Sequence, residues 1–121
     1  MRNMGFQRTA QQVLARTKTV TRRLGWRELE PGALLQAVDK ARGLPKGTKP
    51  ERLGVIRVVG VRREPLAKLR EPRYGKREAK KEGFPDLSGR ELVDRFVANE
   101  GCTPSTVVTR IEFEYVEPDA T

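Results

Sequence analysis

Apolar side chains along this chain recur in two rhythms, and the switches between them mark out the elements. Over residues 53–63 (Leu-Gly-Val-Ile-Arg-Val-Val-Gly-Val-Arg-Arg), Val55, Arg57, Val59 and Val61 fall on one side, and Ile56, Val58 and Gly60 on the other. Both sides are mostly apolar, which predicts a central strand, with a bulge at Gly60 and a stop at Pro65. Over residues 105–116, Val107, Thr109, Ile111, Phe113 and Tyr115 alternate with Val108, Arg110, Glu112, Glu114 and Val116. That period of two predicts a half-buried strand. Residues 17–23 are rich in β-branched side chains and predict another strand. A fourth, over residues 33–39, follows the turn signal Glu30-Pro-Gly32.

The helical rhythm is clearest where Ser88-Gly-Arg-Glu91 opens a capping box. Leu92, Val93, Phe96 and Val97 then form one apolar stripe, and Gly101 closes it. Thr9-Ala-Gln-Gln12 predicts a second capping box and a short helix to about Arg16, burying Val13 and Leu14. Residues 73–81 predict a basic helix ended by Gly83. Residues 43–50 read as an exposed loop. Their Gly43-Leu-Pro-Lys-Gly-Thr-Lys49 lacks the Gly-Lys-Ser/Thr ending of a phosphate loop. Residues 117–121 read as a frayed end. The order is helix, strand, strand, strand, helix, helix, strand. It predicts one α+β domain spanning residues 1–121, with a mixed, strongly curved sheet or small barrel and short flanking helices.

Charge narrows the function. The 121 residues carry 25 Lys and Arg against 16 Asp and Glu, a net charge of +9. Of the cations, 22 precede Glu82, whereas nine of the acids lie at or after it. A cationic front of this kind gathers polyanions, so RNA or a nucleotide is the expected partner. Arg22-Arg23, Arg62-Arg63, Lys76-Arg77 and Lys80-Lys81 are pairs suited to phosphate, which a guanidinium grips with two parallel hydrogen bonds. Trp26, Tyr74 and Phe84 are the aromatic side chains outside clear core positions, one or two of them available for stacking a base, with Trp26 as a plug over the core the competing reading. The lack of histidine excludes a histidine-assisted nucleophile and a histidine zinc site. No metal or cofactor is expected. The single Cys102, the absence of a long apolar run and the absence of a targeting pattern predict a cytoplasmic protein without a membrane span.

One segment concentrates the candidate chemistry. Lys18-Thr-Val-Thr-Arg-Arg23 follows the first short helix and precedes Glu30-Pro-Gly32. Residues 53–66, ending Arg63-Glu-Pro-Leu66, come next, then Glu82-Gly-Phe84, the helix with Phe96, and the strand from Val107 to Tyr115. In this order and spacing the chain resembles an ASCH domain, a relative of the PUA domain, over nearly its whole length. The resemblance implies a PUA-like β-barrel with flanking helices and a cleft that takes RNA or a modified nucleoside. Some members of that family are amidohydrolases that deacetylate N4-acetylcytidine, and others are described as ribonucleases. For the amidohydrolase branch the resemblance implies Lys18, Thr21 and Glu82 as the catalytic trio. The chain differs from that branch in a longer loop over residues 41–52, a more basic composition and Arg22-Arg23 after the motif.

The trio has a chemical logic of its own. A threonine hydroxyl needs a base before it is a useful nucleophile, and a desolvated lysine can be that base. Residues three apart in a regular strand point to opposite faces. Lys18 and Thr21 therefore converge only if Lys18 lies in the turn before the strand, or if a bulge intervenes. An ordinary Lys18–Glu82 ion pair is the competing reading. As a binding surface, the candidates are Lys18, Thr19, Arg22, Arg23, Trp26, Arg62, Arg63 and Tyr74. Catalysis and binding both stay open at this level.

Overall fold

In the computed structural model, which describes residues 1–117, the long apolar run becomes β4, Arg52–Pro65, the scaffold on which the rest is laid. The other elements are β1 (Arg2–Gly5), α1 (Ala10–Leu14), β2 (Val20–Arg23), β3 (Leu34–Val38), a 3-10 helix (Leu66–Arg70), α2 (Pro72–Lys81), α3 (Gly89–Glu100) and β5 (Val107–Val116). The five strands form one sheet in the order β1-β3-β4-β5-β2. β1 runs parallel to β3, and the other three pairings are antiparallel. The sheet curls into a half-barrel, giving a small α+β fold of the expected class.

The central position of β4 and the bulge near Gly60 are as expected: the β4–β5 register shifts between Val58 and Gly60. The loop over residues 43–50 carries no helix or strand. The Ser88 capping box forms, with Glu91 N donating to Ser88 Oγ and Ser88 N donating to Glu91 Oε1, each at 3.1 Å. Gly101 closes α3 in the left-handed region. Three expectations need correction. Thr9 caps α1 without a side-chain hydrogen bond, Leu14 is exposed, and the helix ends at Leu14. The strand expected over residues 17–23 starts only at Val20, because Lys18 and Thr19 belong to the connection from α1. β5 is half-buried only in its second half: residues 108–111 are buried throughout, and the alternation begins after them. The frayed end lies outside the described residues, apart from Glu117.

The sheet is covered on both faces only over the first half of β5; farther along, Arg57 and Glu114, paired across β4 and β5, are exposed. One face holds Met4, Phe6, Leu35, Ile56, Val58, Ile111 and Phe113. On the other, Val108 packs with Leu66, Leu69, Ala79, Leu92 and Val93 from the 3-10 helix, α2 and α3. The two helices meet at Gly75 and Gly89. A Cβ on Gly75 would lie 2.0 Å from the Leu69 carbonyl oxygen and 2.7 Å from Gly89 Cα. No larger residue fits that crossing without moving backbone. Among the described residues, no helix is long and apolar enough to cross a membrane.

Candidate functional site

The register of the sheet places three arginines side by side. Arg22 of β2 pairs with Arg110 of β5, and Arg110 pairs with Arg62 of β4. Like charges in adjacent strands repel. Carboxylates from α2, its C-terminal cap and β4 itself supply the compensation. Glu78, on the inner face of α2, accepts from Arg22 Nη2 at 2.6 Å and from Arg110 Nε and Nη2 at 2.5 and 3.1 Å. Glu64 accepts from Arg22 Nη2 at 3.0 Å, from Arg62 Nε at 2.9 Å and from the Tyr74 hydroxyl at 2.8 Å. Glu82 accepts from Arg22 Nη1 at 2.7 Å. Among the described residues, Arg22 Nε is the one buried side-chain nitrogen or oxygen without a hydrogen-bond partner.

These contacts set the charge states. Burial works against the Arg22 cation, but Glu82, Glu78 and Glu64 outweigh it and hold the proton more tightly than usual. Burial likewise opposes the Glu78 carboxylate, and hydrogen bonds from Arg110 and Arg22 override it, bringing Glu78 to about 2.

Glu82 joins this network to the opening of the sheet. Its other oxygen, Oε1, accepts from Lys18 Nζ at 3.2 Å, and its backbone carbonyl accepts from the same ammonium at 3.0 Å. Lys18 is only 2% exposed and Glu82 7%. Burial lowers the Lys18 pKa, Glu82 partly restores it, and the Arg23 and Arg22 charges lower it further. The connection is held on both sides, since Thr19 N donates to Lys81 O and Phe113 N to Thr19 O. Lys18 thus sits in the turn before β2, where convergence with Thr21 requires it. Gly83, with φ +97°, follows Glu82 at once; a Cβ there would lie 2.7 Å from Gln12 Cγ of α1. That glycine lets the carboxylate and α1 approach each other.

Lys18, Thr21 and Glu82 all line one cleft of about 800 Å³, together with Arg22, Arg23 and Trp26. The volume is that of a small-molecule site. Phe6, Phe84 and Phe96 add apolar wall, and Arg2, Arg8, Arg42 and Arg95 add charge. Thr21 is buried, and its Oγ1 accepts from Arg23 Nε at 3.1 Å. No hydrogen bond joins Thr21 to Lys18 among the described residues. The Arg23 guanidinium lies over the Phe6 ring at 4.8 Å, and burial brings its pKa down to about 10, so it stays charged at neutral pH. Trp26 takes a left-handed backbone, φ +62°, with Arg2 stacked on its ring at 4.2 Å.

The remaining candidates lie elsewhere. Thr19 is half-buried beside the cleft but does not line it. Arg62 and Tyr74 are on the helix-covered side of the sheet, joined at 2.6 Å. Arg63 donates to Thr109 Oγ1 at 2.6 Å. Sequence reasoning missed Glu64, Glu78 and Arg110. A signal existed for Glu78: it stands four residues before Glu82, a spacing that puts both near one helix face.

No protein-family model matches the sequence, and no curated protein does. Solved structures do resemble the fold. Protein EF3133 from Enterococcus faecalis V583, a DUF984 protein, superposes with a TM-score of 0.65 at 17% identity, over 96% of this chain and 76% of that one. Hypothetical protein PH0355 superposes with a TM-score of 0.63 at 20% identity, over 94% of this chain and 97% of that one. At these identities the likeness concerns the fold alone. A curved half-barrel of this kind is compatible with a PUA-like architecture.

Proposed function

We propose that the cleft binds RNA through one nucleoside unit, or a free modified nucleoside, as the ASCH resemblance implies. The observation that carries this reading is the buried Lys18–Glu82 pair, which with Thr21 lines a cationic, partly aromatic cleft roomy enough for a nucleoside. Trp26 packs against the core and offers a stacking face once Arg2 swings off its ring, and Arg23 offers a donor to ligand oxygens. Arg22 contributes indirectly, because its guanidinium is committed to three carboxylates. Phosphate contacts fall instead to the exposed rim, Arg8 and Arg42 among it. If about five phosphates of a single strand are neutralised, log K falls against log salt with a slope near −3.5. A flat salt response rejects RNA as the ligand.

A second reading has its own supporting observation. Arg23 donates to Thr21 Oγ1, leaving the hydroxyl proton free for a base. In this reading neutral Lys18 takes that proton while Oγ1 attacks the acetyl carbonyl of an N4-acetylated cytidine. The carbon–nitrogen bond breaks, the proton passes to the departing amine, and water releases acetate from the threonine ester. Glu82 holds Lys18 in place throughout. Incubation with N4-acetylcytidine tests it: Lys18→Met should slow cytidine release by about 10²–10⁴-fold. Equal rates for the two proteins reject catalysis by Lys18. An RNA incubated alongside and run on a gel scores the ribonuclease alternative.

A further inference from the structure

The outer face of α2 carries a second concentration of charge, outside the cleft. Beyond Pro72, its exposed positions are Arg73, Lys76, Arg77 and Lys80. The helix has one acid, Glu78, and that side chain is buried against Arg22 and Arg110. Residues three and four apart are neighbours on a helix, so these cations repel one another and work against the helix that carries them. α3 is the internal contrast: its exposed Arg90 and Arg95 are interleaved with Glu91, Asp94 and Glu100. The ring of Tyr74 adds to the crowding. Lys68 Nζ lies 5.0 Å from its centroid, Arg77 Cζ 5.8 Å and Arg62 Cζ 5.9 Å. A shallow groove of about 570 Å³ runs along the helix between Pro72 and Pro85.

We propose that this face docks the phosphate backbone of an RNA strand, separately from the nucleoside cleft. The proposal rests on the reading of RNA as the ligand, and it makes the protein a reader of a polynucleotide rather than of a free nucleoside. From Arg73 to Lys80 the helix rises about 10 Å, room for two or three successive phosphates. Two arginines in the row supply bidentate donors. An anionic membrane is a poorer match. A membrane-lying helix sinks Trp, Phe or Leu into the bilayer, and the inner side of α2 (Gly75, Glu78, Ala79) is already buried in the fold.

The test uses the full chain with Arg73→Gln, Arg77→Gln and Lys80→Gln combined. Lys76 is kept, because its ammonium holds the Pro85 carbonyl at 2.8 Å. Binding of a fluorescein-labelled 20-nucleotide single strand of RNA is measured from 50 to 300 mM KCl. The expected result is weaker binding and a log K against log salt slope shallower by about 2, three contacts at roughly 0.7 each. The thermal midpoint should stay the same or rise, since repulsion is relieved. Titration with N4-acetylcytidine, followed by Trp26 fluorescence, should not change in the triple variant. An unchanged RNA slope and affinity overturns the proposal, as does a wild-type chain that binds no RNA. Binding to phosphatidylserine vesicles or polyglutamate that the triple substitution abolishes, with RNA binding intact, also overturns it. Loss of the nucleoside titration in the wild type, with the RNA slope still sensitive to the α2 charges, defeats the cleft reading alone.

Discussion

Replacing Arg22 by methionine tests whether the buried charge network holds the fold and tunes the cleft together. The guanidinium donates to Glu82, Glu64, Tyr74 and Glu78. Without it, three buried carboxylates lose a counter-charge at once. None is orphaned completely: Glu82 keeps Lys18, Glu64 keeps Arg62 and Tyr74, and Glu78 keeps Arg110. Breaking a buried pair costs about 3–5 kcal/mol, and the surviving partners place the loss near 3. For a domain whose whole stability is about 5–15 kcal/mol, that is a large part. Urea denaturation of wild type and Arg22→Met measures it as a shift in midpoint at constant slope. A second readout separates tuning from stability. The Arg22 charge lowers the Lys18 pKa, and its removal also leaves Glu82 to Lys18 alone. Both changes raise the Lys18 pKa, so any Lys18-dependent pH profile should move to higher pH. A loss below about 1 kcal/mol, no more than a surface pair contributes, together with an unmoved profile would refute the reasoning.

The remaining expectations are narrower. Glu78 titrates near 2 in the fold against 4.5 ordinarily. The unfolded chain therefore takes up its proton first as pH falls. The stabilisation it provides is complete above about pH 5 and drains away toward pH 2, about 2 kcal/mol after solvent screening. Urea midpoints across that range should show the decline, and Glu78→Gln should flatten it. Gly75→Ala should cost at least about 3 kcal/mol, because the new carbon collides with the Leu69 carbonyl, whereas Arg90→Ala should stay within about 0.5. Equal midpoints for the two would mean that the helix crossing is looser than described. Trp26 is the sole tryptophan and lines the cleft, so a bound nucleoside should quench its emission. Binding seen by calorimetry without a fluorescence change would place the ligand elsewhere.

The fold was legible wherever side chains alternated strongly. β4, β3, α3 with its cap, and the bulge at Gly60 follow from patterns confined to a few neighbouring residues. β1 was not readable: Arg2-Asn-Met-Gly5 has one buried apolar side chain, Met4, and owes its extended form to parallel pairing with β3. The 3-10 helix over Leu66–Arg70 hid for a similar reason, being too short to show a period. Arg110 looked like the solvent side of a half-buried strand because nothing local says that α2 will cover it. The convergence of Lys18 and Glu82, 64 residues apart, came only through the family resemblance. Glu64 and Glu78 escaped because a buried carboxylate is written in the same letter as an exposed one. Only the row of arginines they pair with, which exists once the strands are in register, shows why acids belong there.

Glu82 is gripped at both ends, with one oxygen on a guanidinium and the other on an ammonium. A carboxylate clamped in this fashion cannot swivel when one neighbour changes protonation. Were Lys18 to become an amine, Arg22 would still anchor the acid and answer its negative charge, so the crevice could change its electrical state without rearranging its walls.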